Sequence, residues 1–233
     1  MMKAASDFLC FGPYRPLYKL TALLFFVAGS AHAQASGDAK AGESIASKGV
    51  PPAVAACTSC HGAKGEGLAA FPPLAGQGAA YLQAQLAAFT SGSRKNAVME
   101  PVAKGLKAQD QANVAAYFAS LPSGIASPKS VPVPDPKDVG AWLALRGRMN
   151  DGVPACASCH GPHGEGVGSN FPAIGKLNAA YMQSQIDAWK QGSRSPGPLE
   201  LMQHIAKKLS SQDVEAIAQY YAKQSTAAPA ASK

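Results

Sequence analysis

Cysteine is scarce in this chain, and none of it is left over for a disulfide. Four of the five cysteines belong to two pentads, Cys57-Thr58-Ser59-Cys60-His61 and Cys156-Ala157-Ser158-Cys159-His160; the fifth, Cys10, lies in a leader-like stretch. The alternation of apolar and polar residues that marks a half-buried strand is also missing, which leaves an all-α reading. The apolar run from Leu20 to Ala28 falls well short of the ~20 residues of a membrane-spanning helix. Acidic residues are few, 14 against 21 Lys and Arg, giving a formal charge of +7.

The first 33 residues explain part of that charge. Lys3, Arg15 and Lys19 precede or flank the apolar run, and Ala31-His32-Ala33 offers small residues before Gln34, the pattern of a secretory signal cleaved after Ala33. A soluble exported protein is expected, with a periplasmic location. Its mature form keeps 18 basic and 13 acidic side chains, a net +5, too little for the dense basic face that nucleic acid demands. Local clusters, Lys104 with Lys107, Lys207 with Lys208 and Arg146 with Arg148, are candidates for steering an acidic partner.

The pentad Cys-x-x-Cys-His is the attachment signature of c-type haem. Two thiols add across the vinyl groups on one porphyrin edge, and the adjacent imidazole, His61 or His160, falls beneath the iron as proximal ligand. A zinc ribbon would bring its cysteine pairs close together, whereas Cys60 and Cys156 are 96 residues apart and each pair is followed directly by histidine. A thioredoxin-like dithiol wants a βαβ setting, and none is visible. The expected cofactors are two covalent haems.

The mature chain is a duplication. Cys57 to Gly67 matches Cys156 to Gly166 at an offset of 99; Phe71-Pro72, Tyr81, Gln85 and Gly92-Ser93-Arg94 recur 100 residues on; Met99, Lys104, Leu106, Gln109 and Tyr117 recur at 103. The growing offset places insertions in loops. Five prolines between 122 and 136 make a stiff connector. The expected organisation is a signal over 1–33, a first domain over 34–121, a linker over 122–137, a second domain over 138–224 and a flexible tail over 225–233. Apolar spacing predicts helices around Tyr81 to Phe89 and Tyr181 to Trp189, terminal helices carrying Val114 to Leu121 and Ile217 to Tyr221, and short helices at 38–48 and 138–149. Each half holds little apolar material, and a buried haem supplies the missing surface.

The second axial position decides between carrier and enzyme. Met99 is the only methionine of the first half, on a predicted loop, and Met202 is its counterpart by register. Met182 matches Leu82 on a helix face and reads as core; Met149 precedes the second pentad; His204 is a rival two residues from Met202, and His163 reads as surface. A thioether ligand stabilises the ferrous state and raises the potential. The carbonyls of Pro72 and Pro172 are candidates to accept from the Nδ1–H of His61 and His160. Arg94 and Arg194 are candidates for haem propionates.

With Cys-x-x-Cys-His-Gly, Phe71-Pro-x-Leu-Ala-Gly-Gln77, Tyr81-Leu82-x-x-Gln85-Leu86, Gly92-Ser93-Arg94 and Met99 repeated, the chain resembles the class I cytochromes c, and specifically the dihaem cytochrome c4 group. The second copy departs from the pattern at Ala173 to Lys176 and in a longer Arg194-to-Met202 loop. The resemblance implies two tandem class I cytochrome c domains related by pseudo-twofold symmetry, each wrapped around one haem, in a periplasmic electron shuttle with no catalytic residues. The expected donors are a quinol-oxidising complex or a periplasmic dehydrogenase, the acceptor a terminal oxidase, with peripheral contact to membrane complexes. The alternatives are a catalytic dihaem protein of the peroxidase kind, which needs a releasable iron, and a dedicated cytochrome subunit of a dehydrogenase. A cysteine-ligated thiosulfate-oxidising site has no cysteine to use.

Overall fold

A computed structural model describes residues 36–68, 70–125, 130–131, 133–195 and 197–226; the predicted leader, part of the linker and the chain beyond 226 lie outside these residues. The architecture is two similar helical halves in tandem, with isolated bridges but no extended strand among the described residues.

In the first half, α1 (Ala39–Lys48) crosses α5 (Ala108–Ser120). Asp38 caps α1, its carboxylate accepting from Lys40 N at 2.8 Å and Ala41 N at 3.3 Å. Glycine at 42 is what lets the axes approach, because a Cβ there would run into the carbonyl oxygen of Asn113. Between them lie α2 (Thr58–His61), α3 (Ala79–Ser91) and α4 (Met99–Lys104). The second half repeats the order with α6 (Val139–Leu145), α7 (Ala157–His160), α8 (Ala179–Lys190), α9 (Leu201–Lys208) and α10 (Ser211–Thr226), and Gly140 serves the α6/α10 crossing against Ala216 as Gly42 serves the first.

Three local expectations change. Helix α6 stops at Leu145, short of the periodicity limit, as the chain turns through Gly147 at φ +70° into a 3-10 turn at Met149–Asp151. Met99 and Met202 stand in short helices, not on loops. Asn96 Oδ1 accepts from Val98 N and Met99 N at 3.0 and 2.9 Å while Glu100 Oε1 accepts from Asn96 N, and this capping nucleates α4 at Met99. In the second half the longer loop closes through a 3-10 turn at Pro198–Glu200 that leads into α9. The first two residues assigned to the tail, 225 and 226, continue α10.

Some expected free cations are engaged within the chain. Arg148 forks onto Asp213 at 2.7 and 2.9 Å and reaches Asp151 at 2.9 Å, Lys208 donates to the Asp151 carbonyl at 2.9 Å, and Lys104 lies 3.6 Å from Glu100. Asp213 also exchanges bonds with Ser210 at the start of α10. Arg148, followed by Ser210, holds the buried Asp213 carboxyl well below the usual carboxylate range. A depressed pKa adds stability that is present above the unfolded-state value and is lost as pH falls through the folded one. Asp213→Asn should therefore cost the second half about 2 kcal/mol at neutral pH. In urea titrations the gap between parent and variant should close in strong acid, and a gap independent of pH would refute the ion pair's role.

Candidate haem sites

Each pentad winds into a single helical turn that sets its side chains. His61 N donates to Cys57 O at 3.0 Å and Cys60 N to the same oxygen at 3.3 Å; the second copy repeats this at 2.9 and 3.2 Å. The i, i+3 spacing puts Cys57 with Cys60, and Cys156 with Cys159, on one face. All four thiols are free. Burial pushes the Cys57 thiol up and that of Cys156 to about 11.

The imidazoles are oriented from behind. Nδ1–H of His61 donates to the Pro72 carbonyl at 2.7 Å, and that of His160 to Pro172 at 2.8 Å. A carbonyl can only accept, so Nδ1 carries the proton and Nε2 keeps its lone pair for a metal. Both rings are buried, and desolvation lowers their proton affinity, which keeps them neutral. The edge of Phe71 packs on His61, with centroids 5.9 Å apart. Two thiols one turn apart beside an Nε2 donor fit a covalently attached haem. They do not fit zinc: among the described residues no three His, Cys, Asp or Glu gather to hold a metal ion.

On the candidate distal side, Met99 and Met202 are half-buried at the starts of α4 and α9, which pack on α3 and α8. His204 follows Met202 by two residues, about 200° around the helix. Its ring is exposed and its Nδ1–H donates to the Glu200 carbonyl at 2.9 Å. Met182 is buried in the core and Met149 is exposed. His163 is half-buried, and its backbone N–H donates to Glu165 at 2.8 Å.

Arg94 and Arg194 lie where the two halves meet. Lys95 N donates to Ser193 O at 2.9 Å and Ser195 N to Ser93 O at 2.6 Å, an antiparallel bridge about a local pseudo-twofold axis. Arg94 donates to Gln85 Oε1 at 2.9 Å, then crosses to Tyr181 Oη at 2.8 Å and Gln185 Oε1 at 2.6 Å. Arg194 mirrors it with Gln185 at 3.0 Å, Tyr81 at 3.3 Å and Gln85 at 2.9 Å. Each guanidinium also covers a ring of its own half, Phe89 at 4.5 Å and Trp189 at 3.8 Å. Desolvation would raise Tyr81, but Arg194 and Arg94 together outweigh it and hold the phenol below its ordinary value. Burial raises Tyr181 and lowers Arg194.

The boundary between the halves contains residues that reading along the chain does not single out. Gln77 pairs with the backbone of Ala173, accepting from N and donating to O at 2.9 Å each. Ser169 caps α3 from the other half, its Oγ accepting from Ala80 N and its carbonyl from Tyr81 N, both at 2.9 Å. Polar Gln85 and Gln185 recurring on otherwise apolar helix faces were the available signal.

The cytochrome c family model matches residues 39–122 and 153–224. A thiosulfate dehydrogenase electron acceptor from Thiomonas intermedia is 46% identical over 177 residues, 75% of this chain and 81% of that protein. Cytochrome c4 of Pseudomonas aeruginosa is 38% identical over 206 residues, 86% of this chain and 96% of the other. Among solved structures, a thiosulfate dehydrogenase from Marichromatium purpuratum superposes with a TM-score of 0.69 at 34% identity, over 79% of this chain and 40% of that one. With its two pentads, two similar helical halves and these relatives, the chain belongs to the cytochrome c family, as a dihaem electron-transfer protein of the cytochrome c4 group with two covalent haem c groups.

Proposed function

We propose that this protein is a periplasmic electron acceptor for a dehydrogenase, thiosulfate dehydrogenase being the first candidate, and that it delivers the electrons onward to a terminal oxidase. Haem supplies a one-electron ferric/ferrous couple when bound. His61 and His160 would hold the iron from the pentad side, and Met99 and Met202 from the other. Two thioether ligands would close both irons, which favours carrying electrons over activating peroxide.

The observation that carries the reading is that two haem-attachment sites share one body, joined across Gln77–Ala173 and the Arg94/Arg194 bridge. Oxidative coupling of two thiosulfate anions forms one S–S bond and releases two electrons, one for each haem. The relatives named as thiosulfate dehydrogenase electron acceptors support that donor.

Mixed anaerobically with a thiosulfate dehydrogenase and excess thiosulfate, the ferric protein should take up two electrons per chain within the turnover time of the enzyme. Ferric haem that stays unreduced there, yet is reduced by dithionite, would overturn this donor.

A further inference from the structure

The two guanidiniums at the domain boundary are buried against neutral hydrogen-bond acceptors. Arg94 and Arg194 are 8% and 6% exposed, and their side chains donate to amide oxygens and phenols. Tyr81, Arg94 and Tyr181 are the leading charged or titratable neighbours of Arg194. Gln85 and Gln185 each accept from both arginines, so the cations sit together at the local symmetry axis rather than one within each half. A charge in a water-poor boundary acts over longer distances than one in solvent, and a charge on the axis acts on both sides alike.

We propose that Arg94 and Arg194 form one shared positioning element that raises the reduction potentials of both haems together, each arginine acting on the haem of the opposite domain as well as its own. The inference rests on the His–Met dihaem reading and adds to it a cross-domain effect. A fixed cation opposes the extra positive charge of ferric iron, so it favours the ferrous state. Acting on both irons, the pair moves the two potentials in step and keeps exchange between the haems close to balanced. The bonds to Gln85 and Gln185 hold each guanidinium at the boundary, and the phenols of Tyr181 and Tyr81 are additional acceptors.

The test is a redox titration of the holoprotein, with the two haems distinguished by their ferric methyl resonances, for Arg94→Gln, Arg94→Lys and Tyr181→Phe. Arg94→Gln should lower both midpoints, the larger by about tenfold in the ferrous-to-ferric ratio at fixed potential, or about 59 mV for a one-electron couple. The two shifts should lie within about threefold of each other. Arg94→Lys retains the charge and should recover at least half of both shifts, and Tyr181→Phe should leave both potentials nearly in place. Exchange of the Tyr81, Lys95 and Ser195 amides, which donate across the boundary, reports whether the halves stay docked. A shift confined to the first haem, no shift, or a Tyr181→Phe effect as large as that of Arg94→Gln overturns the proposal. Low-spin spectra with the sulfur-to-iron charge-transfer band intact would show that the His–Met reading survives such a failure.

Discussion

Replacing Met202 by histidine should lower the potential of the second haem by on the order of 0.2 V, within the ~0.8 V that axial ligands span, and leave the first nearly unchanged. The thioether is a soft ligand that favours ferrous iron, whereas a second imidazole favours ferric. Met202 is half-buried near the start of α9, a helix packed on α8, so a side chain at that position is partly enclosed by the domain. His204 points elsewhere, exposed and bonded to the Glu200 carbonyl, so it is not the residue whose removal should matter. Spectroelectrochemistry should show two well-separated one-electron waves in place of the parent pair, and the ferric sulfur-to-iron band at half intensity. Met99→His should give the complementary result. Potentials unmoved by Met202→His would refute the ligand assignment.

What could be read from the chain follows how local each feature is. The pentads are five consecutive residues whose chemistry needs only one helical turn, and such a turn forms at Thr58–His61 and Ala157–His160. The carbonyl acceptors at Pro72 and Pro172 lie 11 and 12 residues from their histidines, within one loop, and they too were legible. Arg94 and Arg194 were recognisable as significant because they recur, but not where they reach. Their crossed bonds span 87 to 113 residues and exist only once the halves dock. Arg148 likewise reads as a free surface cation until α10 brings Asp213, 65 residues away, beside it. Tyr81 and Tyr181 share one helix-face pattern with the core residues Leu82 and Met182, and periodicity alone does not distinguish the face turned to haem from the face turned to the other domain.

The duplication also hides an asymmetry of stability that removal of each haem should expose. In the first half the contiguous buried apolar cluster comprises Ala46, Leu82, Ala115 and Phe118, two of them alanines. The second half has eleven residues in its cluster, including Leu143, Val153, Met182, Ile186, Ile217 and a fully buried Tyr221. Burying a large aliphatic or aromatic side chain contributes roughly 1.5–3 kcal/mol; the second half keeps a larger connected set of such contributions without its cofactor, whereas the first half's other buried apolar side chains, Val54, Phe89, Leu106 and Val114, lie outside its small cluster. Cys57→Ala with Cys60→Ala, which removes the covalent anchor of the first haem, should therefore unfold the first domain: about half of the helical far-ultraviolet signal should be lost and rapid proteolysis should be confined to residues 36–121. Cys156→Ala with Cys159→Ala should leave a second domain that is loosened but still compact and largely helical. Limited proteolysis followed by mass spectrometry reads both outcomes. Equal loss of structure in the two variants, or greater loss in the second, would mean that the haem and not the apolar cluster sets the stability of both halves.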